Sequence, residues 1–199
     1  MIELLAALSA AAAVGVGRIA LPLLLIGLMS GDNLWYEVPI LNAIAPPIVI
    51  GVLVSWSLFE LLASTQLLGQ RILQFVQLGF SPIVGAIMGV AIVQATDIPS
   101  WLTSIIATVC ALLALVMQLV QVGWFYRLRG LPLWVVLLQD MLCVALVIFA
   151  FQEPQQGGIV AMLLLWFALR SSVEWRRWYV EQADSHHRNQ PRRYKQNPD

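Results

Sequence analysis

Three charged side chains stand inside long apolar runs: Arg18 in "GVGRIALPLLLIGL", Glu60 in "SLFELL" and Asp140 in "LLQDML". A charge at the centre of a bilayer costs from about 3 to more than 10 kcal/mol, depending on the reference state. Such a residue must be held by a partner or by water. Arg18 is the counter-charge available to Glu60, to Asp140 or to both. One arginine against two carboxylates leaves a surplus acid. That acid is either protonated, because desolvation raises a carboxyl pKa, or open to water or a cation. Gln74, Gln77 and Gln118 also fall in apolar segments and could line the same polar centre. Three roles fit this set: a path for a solute or proton, an ion network that fixes helix packing, or contact with another protein's helix.

Most enzyme chemistry is not written here. No histidine falls in an apolar run, and there is no metal-ligand spacing, no glycine-rich phosphate loop and no serine elbow. The expectation is a protein that is not an enzyme and holds no metal and no cofactor. His186 and His187 are adjacent in a polar tail, a poor arrangement for a metal site. Cys110 and Cys143 lie in apolar segments and read as small hydrophobes, not as a disulfide framework. Nucleic-acid binding has nothing behind it beyond the basic tail.

The elements that must position the charges are membrane helices. The 199 residues are 60% hydrophobic and only 11% charged, where soluble domains carry roughly a quarter charged residues. Six segments approach the roughly 20 apolar residues that cross about 30 Å of hydrocarbon. They cover about 2–29, 45–65, 71–95, 99–122, 132–151 and 157–173. Glu3, and no basic residue before Arg18, argue against a signal peptide. Outside the first segment, every basic residue falls on alternate connections (Arg71, then Arg127 and Arg129) or in the tail from Arg170 to Lys195. The other connections carry only Asp32, Glu37, Asp97 and Glu153. The positive-inside rule then predicts an all-α polytopic membrane bundle of about six transmembrane helices with both termini cytoplasmic. On that topology Arg18 and Glu60 come between mid-depth and the cytoplasmic side. Asp140 lies about 12 Å deep, at 1.5 Å per residue from Pro132. Two regions follow: a transmembrane domain over 1–178, edged by Trp166, Trp175, Trp178 and Tyr179 as an aromatic belt, and a basic tail over 179–199 without regular structure.

Glycine and proline mark weak points in two helices. Gly15, Gly17 and Pro22 surround Arg18, and Gly79, Ser81 and Pro82 interrupt the third segment. Helix breaks at membrane depth are tolerated where protein or a cavity satisfies the freed backbone, and broken helices beside charges are a feature of transporter sites. Gly85 and Gly89 in "GAIMG" form a close-packing face, read as packing within the chain. Glu60 and Asp140 would occupy corresponding helices of a three-plus-three inverted repeat.

The small residues leading into "GRIALPLLLIGL", the glutamate of "FELLAS", the "QLGFSPIVGAI" block and the acid of "LLQDMLCV" together resemble domain-of-unknown-function family 4126. It is a family of small bacterial integral-membrane proteins with cyanobacterial members. The likeness covers about 6–151. It implies that Pro22, Glu60, Gln77, Pro82, Gly85, Ala86 and Asp140 are the recurring features. The chain departs from the family's pattern with "LLASTQ" after the glutamate, where an Asp-Lys turn is common. It departs again with Gln139 before Asp140, where paired acids are common. Both departures thin the charge network. The resemblance implies a multi-span membrane protein and no established activity.

Two functions are expected from these residues. The first is a small transporter or channel-like protein centred on Arg18, Glu60 and Asp140. The alternative is a non-catalytic scaffold or assembly factor for a larger membrane complex. The partners are the lipid bilayer and a membrane-protein complex or a second copy of the chain. The location is a bacterial plasma membrane, or a thylakoid membrane in a cyanobacterial source.

Overall fold

The computed structural model of the protein describes residues 2–16, 19–29, 43–63, 67–94, 100–128 and 133–189. Among the described residues there is no strand, and the regular structure is α1 (Ile2–Val16), α2 (Ala20–Met29), α3 (Pro46–Ala63), α4 (Leu67–Gln94), α5 (Ser100–Leu128), α6 (Leu133–Gln152) and α7 (Pro154–Asn189). The protein is an all-α helical membrane bundle in which α3 to α7 are each long and apolar enough to cross. Large apolar side chains cover its outer surface, among them Phe75, Trp101, Leu112, Met141 and Leu163. In water such a surface would be an aggregation liability, whereas in lipid it is at home.

Local chemistry sets the helix ends. Pro46 and Pro47 open α3 in its first turn, where a missing N–H breaks no helical bond. The carbonyl of Ala45 accepts from Ile48 and Val49 at 3.0 and 3.3 Å. Pro154 opens α7 directly after Glu153, the one residue that separates it from α6. The turn there is tight, because a Cβ on Gly157 would sit 2.9 Å from the Cβ of Phe149 and 2.6 Å from Ser9 Oγ. Only glycine fits at that corner. Pro22 falls in the first turn of α2, again a position that donates no helical bond.

Two expected interruptions resolve differently. Within residues 2–29, expected as one crossing, the described residues form two helices, α1 ending at Val16 and α2 beginning at Ala20. At 15 residues α1 spans only about 22 Å, and among the described residues five helices are by themselves long and apolar enough to cross. The expected break at Gly79 and Pro82 is absent: α4 runs through both. Proline removes one backbone bond there, but in an apolar setting no water competes for the bonds on either side, so the helix continues.

At the centre lies α1, packed against α4, α5 and α6. From Ala6 to Val16 every residue except Leu8 is buried. Its alanines let the neighbouring backbones approach, and the same economy appears on α4. A Cβ on Gly85 would lie 2.6 Å from Ala114 Cβ, and one on Gly89 2.8 Å from Cys110 Sγ. The "GAIMG" face therefore packs within the chain. Cys110 Sγ donates to the carbonyl of Ala7 at 3.5 Å, Gly15 abuts Ala114 and Met117, and Gln121 donates to the carbonyl of Val16. These pairings ascend both helices together, so α1 runs parallel to α5. An alternation of six crossings requires the opposite direction. The Oγ of Ser9 donates to the Leu146 carbonyl at 2.7 Å, and Gly158 abuts Leu5. The start of α1 therefore lies at the end of the bundle that holds the α6–α7 corner. It does not share the Arg71 end of α4, where the expected topology put it.

The chain divides into two units, with the division between Leu165 and Trp166, inside α7. Residues 179–189, expected without regular structure, are helical. They lack an apolar face, but no proline follows Pro154 until Pro191, and the helix stops just before it. Within the second unit the Arg170 guanidinium lies 5.8 Å from the Trp166 ring centroid and 3.4 Å from Glu174. This is an exposed pair of the kind that adds little stability.

Candidate functional site

The site is built from α3, α4 and α5. Of the side chains on α3, only Val49 and Glu60 are buried, and Glu60 has no exposed surface. A lone buried carboxylate on an otherwise lipid-facing helix needs donors. Trp56, one turn earlier on the same face, supplies its indole N–H to Glu60 Oε1 at 3.0 Å. Gln77 of α4 donates to the same oxygen at 3.4 Å. The carboxamide oxygen of Gln77 in turn accepts from Gln118 of α5 at 3.4 Å. A chain of polar groups thus runs from α5 through α4 to the carboxylate of α3.

The elements place these groups by simple periodicity. Gln74, Gln77 and Ser81 follow one another at spacings of three and four on α4, which sets them on one face. All three are buried. Gln118 is 1% exposed and meets the middle member of the stripe. One turn further along α5, Gln121 caps the last carbonyl of α1, a group that the helix end itself leaves without a partner. The end of α1 thus lies beside the polar chain.

Asp140 stands half-buried on α6, one turn before the fully buried Cys143. Helix α2 packs on both acid-bearing helices, α3 and α6, and its Pro22, Leu23 and Ile26 are buried. Arg18 and Gly17, expected as counter-charge and helix break, lie outside the described residues.

Of the residues singled out in the sequence, Glu60, Gln77 and Gln118 are joined directly, and Gln74 shares their face. Gly15 serves close packing against α5 at the end of α1. Gly79 faces open space and Pro82 lies within a continuous helix, so neither opens the backbone. Trp56 was missed; its signal was the spacing of four to Glu60. Ser9 was missed as well, a lone hydroxyl in an alanine run. Among the described residues no group of three or more histidine, cysteine, aspartate or glutamate side chains could hold a metal ion.

The model of one family, described as a domain of unknown function (DUF4126), matches residues 4–174. Searches of curated proteins and of solved structures give no match.

Proposed function

The chain belongs to the DUF4126 family, and we propose that it is a small transporter or channel-like protein whose polar centre is Glu60, held by Gln77 and Gln118, with Asp140 and Arg18 as the accompanying charges. The observation that carries this reading is Glu60 itself. Its carboxylate has no exposed surface, sits in a bundle of apolar helices and accepts hydrogen bonds from its own helix and from α4. An ionisable group at such depth is expensive and by default marks a pathway or a binding site. The positive-inside rule puts Arg71 and Arg127 on the cytoplasmic side. The direction of α1 then supports a non-cytoplasmic N-terminus in a bacterial plasma membrane.

Purified protein in liposomes, loaded with a proton-, sodium- or potassium-sensitive dye, tests the proposal. Glu60→Gln and Asp140→Asn should each lower flux at least about tenfold while the protein keeps its helicity. Neutralisation that changes stability but leaves every flux intact overturns it.

One observation favours the alternative of a scaffold for a membrane complex. Almost the whole of α3 is exposed, including Trp56 and Phe59, an aromatic face that a partner helix could cover. Extraction in mild detergent separates the readings. A single chain or simple homo-oligomer supports transport, and a larger mass with other polypeptides supports the scaffold.

A further inference from the structure

We propose that the stripe Gln74, Gln77 and Ser81, together with Gln118, holds a small hard cation of sodium size, partly dehydrated, with Glu60 as its counter-charge. This rests on the transport reading and names the class of solute that the site takes.

Unpaired oxygen carries the inference. Among the described residues, Gln74 Oε1, Ser81 Oγ and Gln118 Oε1 are buried and have no hydrogen-bond partner. No buried side-chain nitrogen there is left in the same condition. An orphaned buried polar atom is costly, because it has lost its water and gained no partner. Two of the three, the carboxamide oxygens, can only accept, and the Ser81 hydroxyl oxygen can accept as well, so the site has room for something electropositive. Ser81 is fully buried, and Gln74 and Gln118 are 8% and 1% exposed. These atoms do not line the lipid-facing surface. Gln74 and Ser81 stand one turn to either side of Gln77, and Gln118 bonds Gln77 at 3.4 Å. The oxygens therefore flank one short stretch of α4.

Charge points the same way. Glu60 brings a carboxylate to the stripe through Gln77. The C-terminal end of α1, reached by Gln121, brings the negative pole of a helix to the same level. Carboxamide, hydroxyl and carboxylate oxygens are hard ligands suited to hard cations. A broken helix that presents its carbonyl end near the bilayer midplane is a known way to seat a coupling ion. The donors of this polar chain, the Trp56 indole and the Gln77 and Gln118 carboxamides, already give to Glu60 and Gln77, whereas the unpaired atoms are oxygens.

The test uses the full chain in nanodiscs and reads thermal unfolding by tryptophan fluorescence, with sodium chloride compared against N-methylglucamine chloride at equal ionic strength. Sodium should raise the midpoint by about 3 °C or more, the shift that a ligand adding about 1 kcal/mol gives a protein of this size. Ser81→Ala and Gln118→Leu should abolish the rise. Thr108→Val should retain it, since that hydroxyl is exposed and bonds only the Ser104 carbonyl, at 2.8 Å. If Gln118→Leu fails to fold, Ser81→Ala, which removes one oxygen and little volume, still decides. Equal midpoints in the two salts overturn the proposal. So does a midpoint that moves with pH and not with sodium, which makes the ligand a proton carried by buried water. Flux that proceeds without sodium overturns the cation and leaves transport standing.

Discussion

Helices α4 and α5 meet twice along their length, in two different manners. Toward the end of α4 the contact is made without side chains: Gly85 and Gly89 lie against Ala114 and Cys110, and α1 presses its alanines into the same seam. Toward the beginning of α4 the contact is made with long polar side chains, Gln77 against Gln118, and it continues to Glu60. The dry end fixes position, because close-packed interiors resist a change of even one methylene. The polar end is thereby held at a spacing its glutamines must bridge. One seam locates the other, much as a clamp at one end of two rods sets the gap at the far end.

This contrast can be broken by substitution. Gly85→Leu should have the largest effect, since a Cβ alone would already lie 2.6 Å from Ala114 Cβ and 2.9 Å from the Cys110 carbonyl oxygen. We expect a loss of about 3 kcal/mol or more, measured as reduced unfolding free energy in mixed micelles or as failure to accumulate in the membrane. A tolerated leucine would show that the seam is not rigid. Gln77→Leu should cost less, about 1–3 kcal/mol, by stripping a donor from Glu60 and an acceptor from Gln118. Adding Gln118→Leu should then cost less than that change alone, because both partners of one bond are gone. Strict additivity in this double-mutant cycle would deny that the polar chain acts as a unit. Gly79→Ala should have the smallest effect. Nothing lies within 4 Å of an added Cβ there, so stability should change by no more than about 0.5–1 kcal/mol, in the direction of a better helix.

Much of this was legible in the residues themselves. Glutamate and glutamine in apolar runs announced Glu60, Gln77 and Gln118, because few polar groups survive at membrane depth without a role. The spacing of Gly85 and Gly89 announced a close-packed face. Other features were not legible, each for a physical reason. The alanine run of α1 is apolar on every side, so nothing in it says which helices surround it or in which direction it runs. Charge alternation assumed that every apolar stretch crosses, whereas α1 is about a quarter too short to do so. Pro82 read as a break because proline breaks helices in water. Residues 179–189 read as unstructured because they lack an apolar face, whereas an existing helix was there to extend.

The burial of α1 has a consequence for how the chain is made. Its walls are α4, α5 and α6, and Ser9 bonds a carbonyl 137 residues away. The helix made before the rest of this bundle is therefore the one whose resting place is completed nearly last. Until α6 has been inserted, the alanine stretch has only lipid or an insertion chaperone for company. Assembly must then be a late closure of finished walls around an early guest. Truncation after α5 should leave α1 accessible to a membrane-permeant thiol reagent at an introduced cysteine, and completion of α6 should hide it.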